Sequence, residues 1–186
     1  MKKLIMITMA IVLISVPASA FDDEKKSYSG ISTAFVNYSE PFSGLEIPVI
    51  AAVLNSGTQI NELFAIEARI GRGLYEGVDG FYMDSNRYNA YMTLDNFFGI
   101  YGKVTKSFNK ITAYGLLGYT RMKGTFRITQ GLSSITVSDV ESSFSLGLGI
   151  DVEIKNDIEL GIEYTSYIEE TDFNVDAISL SVKKWF

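Results

Sequence analysis

From about residue 28 onward the apolar residues of this chain recur at every second position, and that period constrains the fold more than any other feature of the sequence. A period of two belongs to β-strands, whose successive side chains point to opposite faces. In ELFAIEARIG, Phe64, Ile66, Ala68 and Ile70 share one face, with Ala65, Glu67, Arg69 and Gly71 on the other. SFSLGLGIDVE sets Phe144, Leu146, Leu148, Ile150 and Val152 against Ser145, Gly147, Gly149, Asp151 and Glu153. IELGIEYTSYI opposes Ile158, Leu160, Ile162, Tyr164 and Ile168 to Glu159, Gly161, Glu163 and Thr165. The closing stretch AISLSVKKWF opposes Ile178, Leu180, Val182 and Phe186 to Ala177, Ser179, Ser181, Lys183 and Trp185.

Extending these patterns along the chain predicts roughly eight strands of about ten residues, near 28–39, 46–56, 62–72, 94–107, 111–125, 140–154, 157–169 and 175–186. Short connections (SGTQIN, FNK, KND) alternate with longer ones around 73–93 and 126–139, which is the arrangement of an up-and-down antiparallel meander. The second strand, EIPVIAAVLNS, is apolar on both faces, so the phase of the first two strands is left open.

The faces separate a soluble sandwich from a membrane barrel. A sandwich turns its apolar face inward and carries charge outside. Here the polar face is small, rich in Gly and Ser, with Glu67, Arg69, Lys103 and Glu163 embedded in mid-strand. An arginine facing lipid at mid-depth costs about 2–4 kcal/mol, so this face is expected inside a narrow lumen, with the small residues making room for long charged side chains. Tyr28, Tyr38, Phe64, Phe98, Tyr114, Tyr164, Tyr167 and Phe186 lie near the predicted strand ends, where a bilayer places its aromatic girdles.

The beginning of the chain agrees with export. Lys2 and Lys3 precede the apolar run Leu4 to Val16, and Ala18 to Ala20 offer small residues at a cleavage site, the layout of a secretory signal peptide. The expected division is a signal peptide over residues 1–20 and one domain over 21–186. Removing Lys2 and Lys3 takes the charged set from 16 basic and 22 acidic residues to 14 and 22, a net of −8. Such an acidic chain is a poor match for nucleic acid. Cysteine and histidine are both absent, which argues against disulfides, zinc or iron sites, and cofactors that need them.

With these segments in hand, the chain resembles the eight-stranded outer-membrane β-barrels of Gram-negative bacteria, of the OmpA-type and porin-like kind (outer membrane protein β-barrel domain). INELFAIEARIG, FFGIYGKVTKSF, ITAYGLLGYTR, SFSLGLGIDVEI and DAISLSVKKWF carry the likeness, as in the barrel-only members. The resemblance implies an integral protein of the bacterial outer membrane, in contact with its lipids, monomeric, and assembled by the barrel-insertion machinery. That machinery reads a terminal Phe with apolar residues at alternate positions before it; Phe186, Val182, Leu180 and Ile178 match, while Lys184 stands where an aromatic is commoner.

Enzymes among small barrels of this kind use a histidine base, so the resemblance does not extend to catalysis, and no catalytic or metal residues are assigned. GRGLYEG (71–77) lacks the Lys-Ser/Thr of a phosphate loop, and DGFYMDSN (79–86) lacks the glutamate and spacing of a calcium loop. The expected function is a non-enzymatic structural barrel whose lumen is narrowed or plugged by ion pairs among Glu67, Arg69, Lys103, Arg121 and Glu163. Two alternatives remain open: a small-solute porin, and a surface adhesin meeting an extracellular ligand of unknown identity through Tyr75, Phe81, Tyr82 and Tyr88.

Overall fold

A computed structural model describes residues 27–83 and 86–186; the expected signal peptide over 1–20 lies outside the described residues. The chain forms β1 (Ser27–Glu40), β2 (Leu45–Gln59), β3 (Phe64–Gly73), β4 (Gly77–Met83), β5 (Asn86–Phe108), β6 (Ile111–Gln130), β7 (Ser133–Lys155), β8 (Ile158–Glu169) and β9 (Asn174–Trp185). All neighbours are antiparallel, and the ring closes where β1 pairs with β9, from Tyr28 opposite Trp185 to Ser39 opposite Asn174. β3 pairs with residues 97–104 of β5, and β4 with residues 86–92 of the same strand. β3 and β4 therefore occupy one place in the wall, interrupted at 74–76, and nine strands fill eight places around the ring. Across from the interruption, the β5–β6 ladder shifts register between Leu94 and Asn96, with Asp95 as the extra residue.

Burial decides which way the faces point. Ile66, Phe144 and Leu148 are 47%, 75% and 69% exposed, whereas Glu67 between its apolar neighbours is 0% exposed. An apolar outside around a polar inside is the pattern that lipid, not water, stabilises. The doubly apolar β2 also resolves: Ile47, Val49, Ala51, Val53 and Asn55 are buried inside, while Ile50, Ala52 and Leu54 face out.

Both long connections expected as loops are strand. Residues 77–83 and 86–93 form a hairpin, and β6 and β7 continue to a tight turn at Gly131 and Leu132, where Gly131 takes a positive φ of 57°. Above the membrane neither face of a strand must match lipid, so the two-residue apolar period fades there although the ladder continues. A tilted strand crosses the bilayer in about 9–11 residues, and β5 and β7 each have 23, so much of each projects beyond it. At the opposite rim the short turns hold as expected, and Asn109 adopts φ 57° in the two-residue β5–β6 turn. The rim with the short turns, Ser27 and Phe186 is the periplasmic side, and the hairpin rim is the outer one.

Candidate functional site

The barrel interior is built in layers. At the periplasmic rim an open vestibule of about 200 Å³ is lined by Glu153, Glu159, Trp185 and the pair Lys183–Asp151, whose Nζ and Oδ2 are 2.6 Å apart. Trp185 tilts against Tyr28 at 4.7 Å between ring centroids, so the only tryptophan borders this mouth.

Above the vestibule lies the central ion-pair network. Arg69 Nε donates to Glu67 Oε1 at 2.6 Å, and its Nη1 and Nη2 donate to both oxygens of Glu163 at 2.5 and 2.7 Å. A planar guanidinium suits this two-sided grip, because its five donors lie in one fork. Lys103 Nζ stands 3.3 Å from Glu67 Oε2 and 3.8 Å from the centre of the Tyr114 ring. The remaining carboxylate positions are also engaged: the Tyr28 hydroxyl donates to Glu67, Tyr114 to Glu163 at 2.9 Å, and Thr165 to Glu163 at 2.6 Å. Among the described residues the buried charges are three acids, Glu67, Asp151 and Glu163, and three bases, Arg69, Lys103 and Lys183, which sum to zero. The free space beside Arg69 and Glu163 is about 10 Å³, at the threshold for a single water.

A belt of hydroxyls follows, in which Tyr101 and Ser145 both meet Thr120, at 2.6 and 2.7 Å, and Ser145 also donates to the Tyr167 carbonyl. Beyond it the lumen turns apolar. Ile47, Val49, Met92, Leu94, Phe97, Met122, Ile168 and Val175 form one buried cluster, bordered by a cleft of about 370 Å³ toward the outer rim.

The profile of the family described as "Outer membrane protein beta-barrel domain" matches residues 6–186. The chain belongs to this family. Outer membrane protein β-barrel domains lie in the bacterial outer membrane, and this one, with lipid-facing strands on every side, does so too. Its fold is similar to Ail, the attachment invasion locus protein of Yersinia pestis solved with the heparin analogue sucrose octasulfate (16% identity, 88% of this chain, 99% of that chain, TM-score 0.60). It is also similar to Neisserial surface protein A (15%, 85% and 96%, TM-score 0.50) and to the outer membrane protein OprG of Pseudomonas aeruginosa (8%, 87% and 95%, TM-score 0.53). No curated protein sequence matches it.

Of the residues expected inside this barrel, Glu67, Arg69, Lys103 and Glu163 meet in the one network. Arg121 does not: it is exposed on the outer face, because Thr120 and Met122 on either side of it point inward. Asp151 and Lys183 complete the buried charges; both stand on the polar face of their strands, the signal that identifies the other four. The aromatic assignment needs correcting at four positions. Tyr28, Tyr114 and Tyr167 are buried in the lumen and Tyr38 turns inward against Phe126 and Phe173, while Phe64, Phe98, Tyr164 and Phe186 face out. Ile168, expected on the lipid face with Tyr164, is also buried inside, because the β8–β9 ladder shifts register between Ser166 and Ile168. Inward tyrosines look like girdle residues in sequence because a hydroxyl-bearing ring suits both places.

Small residues do make room inside, but for rings more than for charges. A Cβ added at Gly149 would lie 2.3 Å from Tyr114 Cζ, and one at Gly118 would lie 2.2 Å from Tyr101 Cδ1. On the outer hairpins Tyr75 and Tyr82 are exposed at 69% and 73%, whereas Phe81 and Tyr88 stack on each other at 5.5 Å. Ile178, Leu180, Val182 and Phe186 all face lipid, and the Phe186 backbone pairs with Ser27 in both directions.

Proposed function

We propose that this outer-membrane barrel is a structural, non-enzymatic and non-conducting protein of the envelope, closed by its own side chains. The observation that carries this reading is Arg69 gripped between Glu67 and Glu163 across the lumen, with about 10 Å³ free beside it. An eight-strand ring is just wide enough to be filled by side chains, and a neutral network offers no unbalanced charge to draw ions through. In planar bilayers the purified barrel should stay nearly silent, and Arg69→Ala should open small, variable currents. Large, steady, ion-selective currents from the unaltered protein would make it a porin instead. Turnover of outer-membrane phospholipid by the pure protein would overturn the non-enzymatic part.

The barrel works as a monomer delivered by the barrel-insertion machinery, with Phe186 and the alternate residues Val182, Leu180 and Ile178 as the recognised end. Their outward, lipid-side exposure supports this. Deleting Phe186 should slow appearance of the heat-modifiable folded form in cells several-fold; an unchanged rate would remove the ring from the signal.

A second reading is favoured by the projecting hairpins. Tyr82, Leu132, Ile135 and Val137 are 73%, 107%, 70% and 58% exposed at the outer side, more apolar surface than a bare cap requires. The Ail structure holds a sulfated ligand, but residues 128–139 of this chain contain no base to meet sulfate, so the β6–β7 hairpin suits a protein partner. Replacing 128–139 with a two-residue turn should leave the barrel folded and remove any adhesion to host cells or matrix that the intact protein confers.

A further inference from the structure

The cleft at the outer end of the lumen is a separate feature from the ion-pair network, and it combines two chemistries. Its floor and walls are apolar, formed by Met92, Leu94, Met122, Phe126, Phe173 and Val175. Its mouth carries Glu40, Asp139 and Glu141, and among the described residues no basic side chain lines it. The bases at this level have been turned away. Met122, Gly124 and Phe126 line the cleft, so strand alternation places Arg121, Lys123 and Arg127 on the opposite, outer face. There Arg127 pairs with Glu76 at 2.8 Å and Lys123 lies 3.7 Å from Asp95. Among the described residues the mouth carboxylates have only local partners: Ser43 donates its hydroxyl to Glu40, and the Val140 amide donates to Asp139 at 2.7 Å.

We propose that this cleft is a binding site for a small hydrophobic cation, a compact aliphatic or alicyclic ammonium whose hydrocarbon enters the apolar chamber while its charge stays among Glu40, Asp139 and Glu141. At about 370 Å³ the space is at the small end of ligand sites, which run from about 300 Å³ upward, so a single compact hydrocarbon cage fits it and a long acyl chain does not. The carboxylates reject an anion of the same shape and leave the apolar walls available to the cation. Nothing in this assignment requires a path through the network below, since entry and exit share the outer mouth.

The protein supplies its own reporters. Met92 and Met122 lie in the apolar cluster beside the cleft, so methyl-labelled methionine in the folded barrel reads occupancy directly and distinguishes it from partitioning into the surrounding lipid. With 1-adamantylammonium, saturable shifts are expected at the Met92 and Met122 methyls. With adamantane-1-carboxylate the apparent affinity should be at least about tenfold weaker, the factor that about 1.4 kcal/mol produces. The E40Q/D139N/E141Q protein should lose that preference, and Ala90→Phe, which fills the chamber, should lose binding of both. If Ala90→Phe does not fold, the rim variant still decides, because its substitutions lie at partly solvated positions. Equal or tighter binding of the carboxylate, unshifted Met92 and Met122 methyls, or a preference retained by the rim variant would each overturn the assignment.

Discussion

Around Arg69 and Glu163 the ring of strands encloses paired charges and tyrosines with only about 10 Å³ free beside them, whereas toward the outer rim the same ring encloses apolar side chains and leaves a cleft of about 370 Å³. The usual intuition runs the other way, with apolar cores tight and polar ones loose. Side-chain size explains the reversal. In the charged half, rings swing over glycines, as Tyr114 does over Gly149, and long ionic chains reach across the axis to one another. In the apolar half, Ala34, Ala51, Ala90 and Ala177 point inward and none of them can reach the axis. A ring of fixed circumference is filled by reach, and reach here belongs to the polar residues.

The comparison can be broken most directly at Arg69. Its removal leaves Glu67 and Glu163 facing each other without the cation between them, and loss of one member of a buried pair costs about 3–5 kcal/mol. Arg69→Ala should therefore shift the guanidinium unfolding midpoint of the folded barrel more than any other change considered. The concerted E67Q/R69M/E163Q protein should recover much of that loss, since no lone buried charge remains. A shift for Arg69→Ala below about 1 kcal/mol would mean that water already solvates the network. Met92→Ala probes the other half. Truncating a buried Met costs about 2–5 kcal/mol, and the cleft alongside places it near the lower end, at about 2 kcal/mol. If it matched or exceeded Arg69→Ala in the same titration, the apolar half would be the tighter of the two. Arg127→Ala, which breaks the exposed pair with Glu76 outside the wall, should cost no more than about 1 kcal/mol by the same measurement, and a larger loss would locate stability on the outer surface instead of in the lumen.

Much of this was legible in the chain because lipid imposes a rule on every residue of a crossing strand. Glu67 and Arg69 alternate with Ile66, Ala68 and Ile70, and one physical requirement, no unpaired charge in hydrocarbon, sends them inward. Where that requirement lapses, so did the reading. The strands over 77–93 and 126–139 lie largely beyond the bilayer and show no strict alternation. Arg121 stands next to the buried Thr120 and Met122, and a cation among mixed neighbours has no face until the register is known. Partners across the axis were also hidden: Arg69 and Glu163 are 94 residues apart, and only closure of the ring brings them within a hydrogen bond. The apolar upper chamber left a trace in EIPVIAAVLNS, whose two apolar faces meet lipid on one side and the chamber on the other.

The seam between β1 and β9 has the same kind of ladder as every other neighbouring pair, ending where Ser27 and Phe186 exchange backbone hydrogen bonds. A cyclic arrangement of that kind has no intrinsic first strand. The β7–β8 turn at 156–157 opens on the same rim as the seam, so a gene that joined residue 186 to residue 27 through a short turn and began at 157 would encode the same ladders in a rotated order of synthesis. In such a circular permutant the terminal phenylalanine would become an internal residue while its contacts stayed unchanged. The ladder that closes the wall and the assembly signal proposed at its end are thus separable by rearranging the reading order alone.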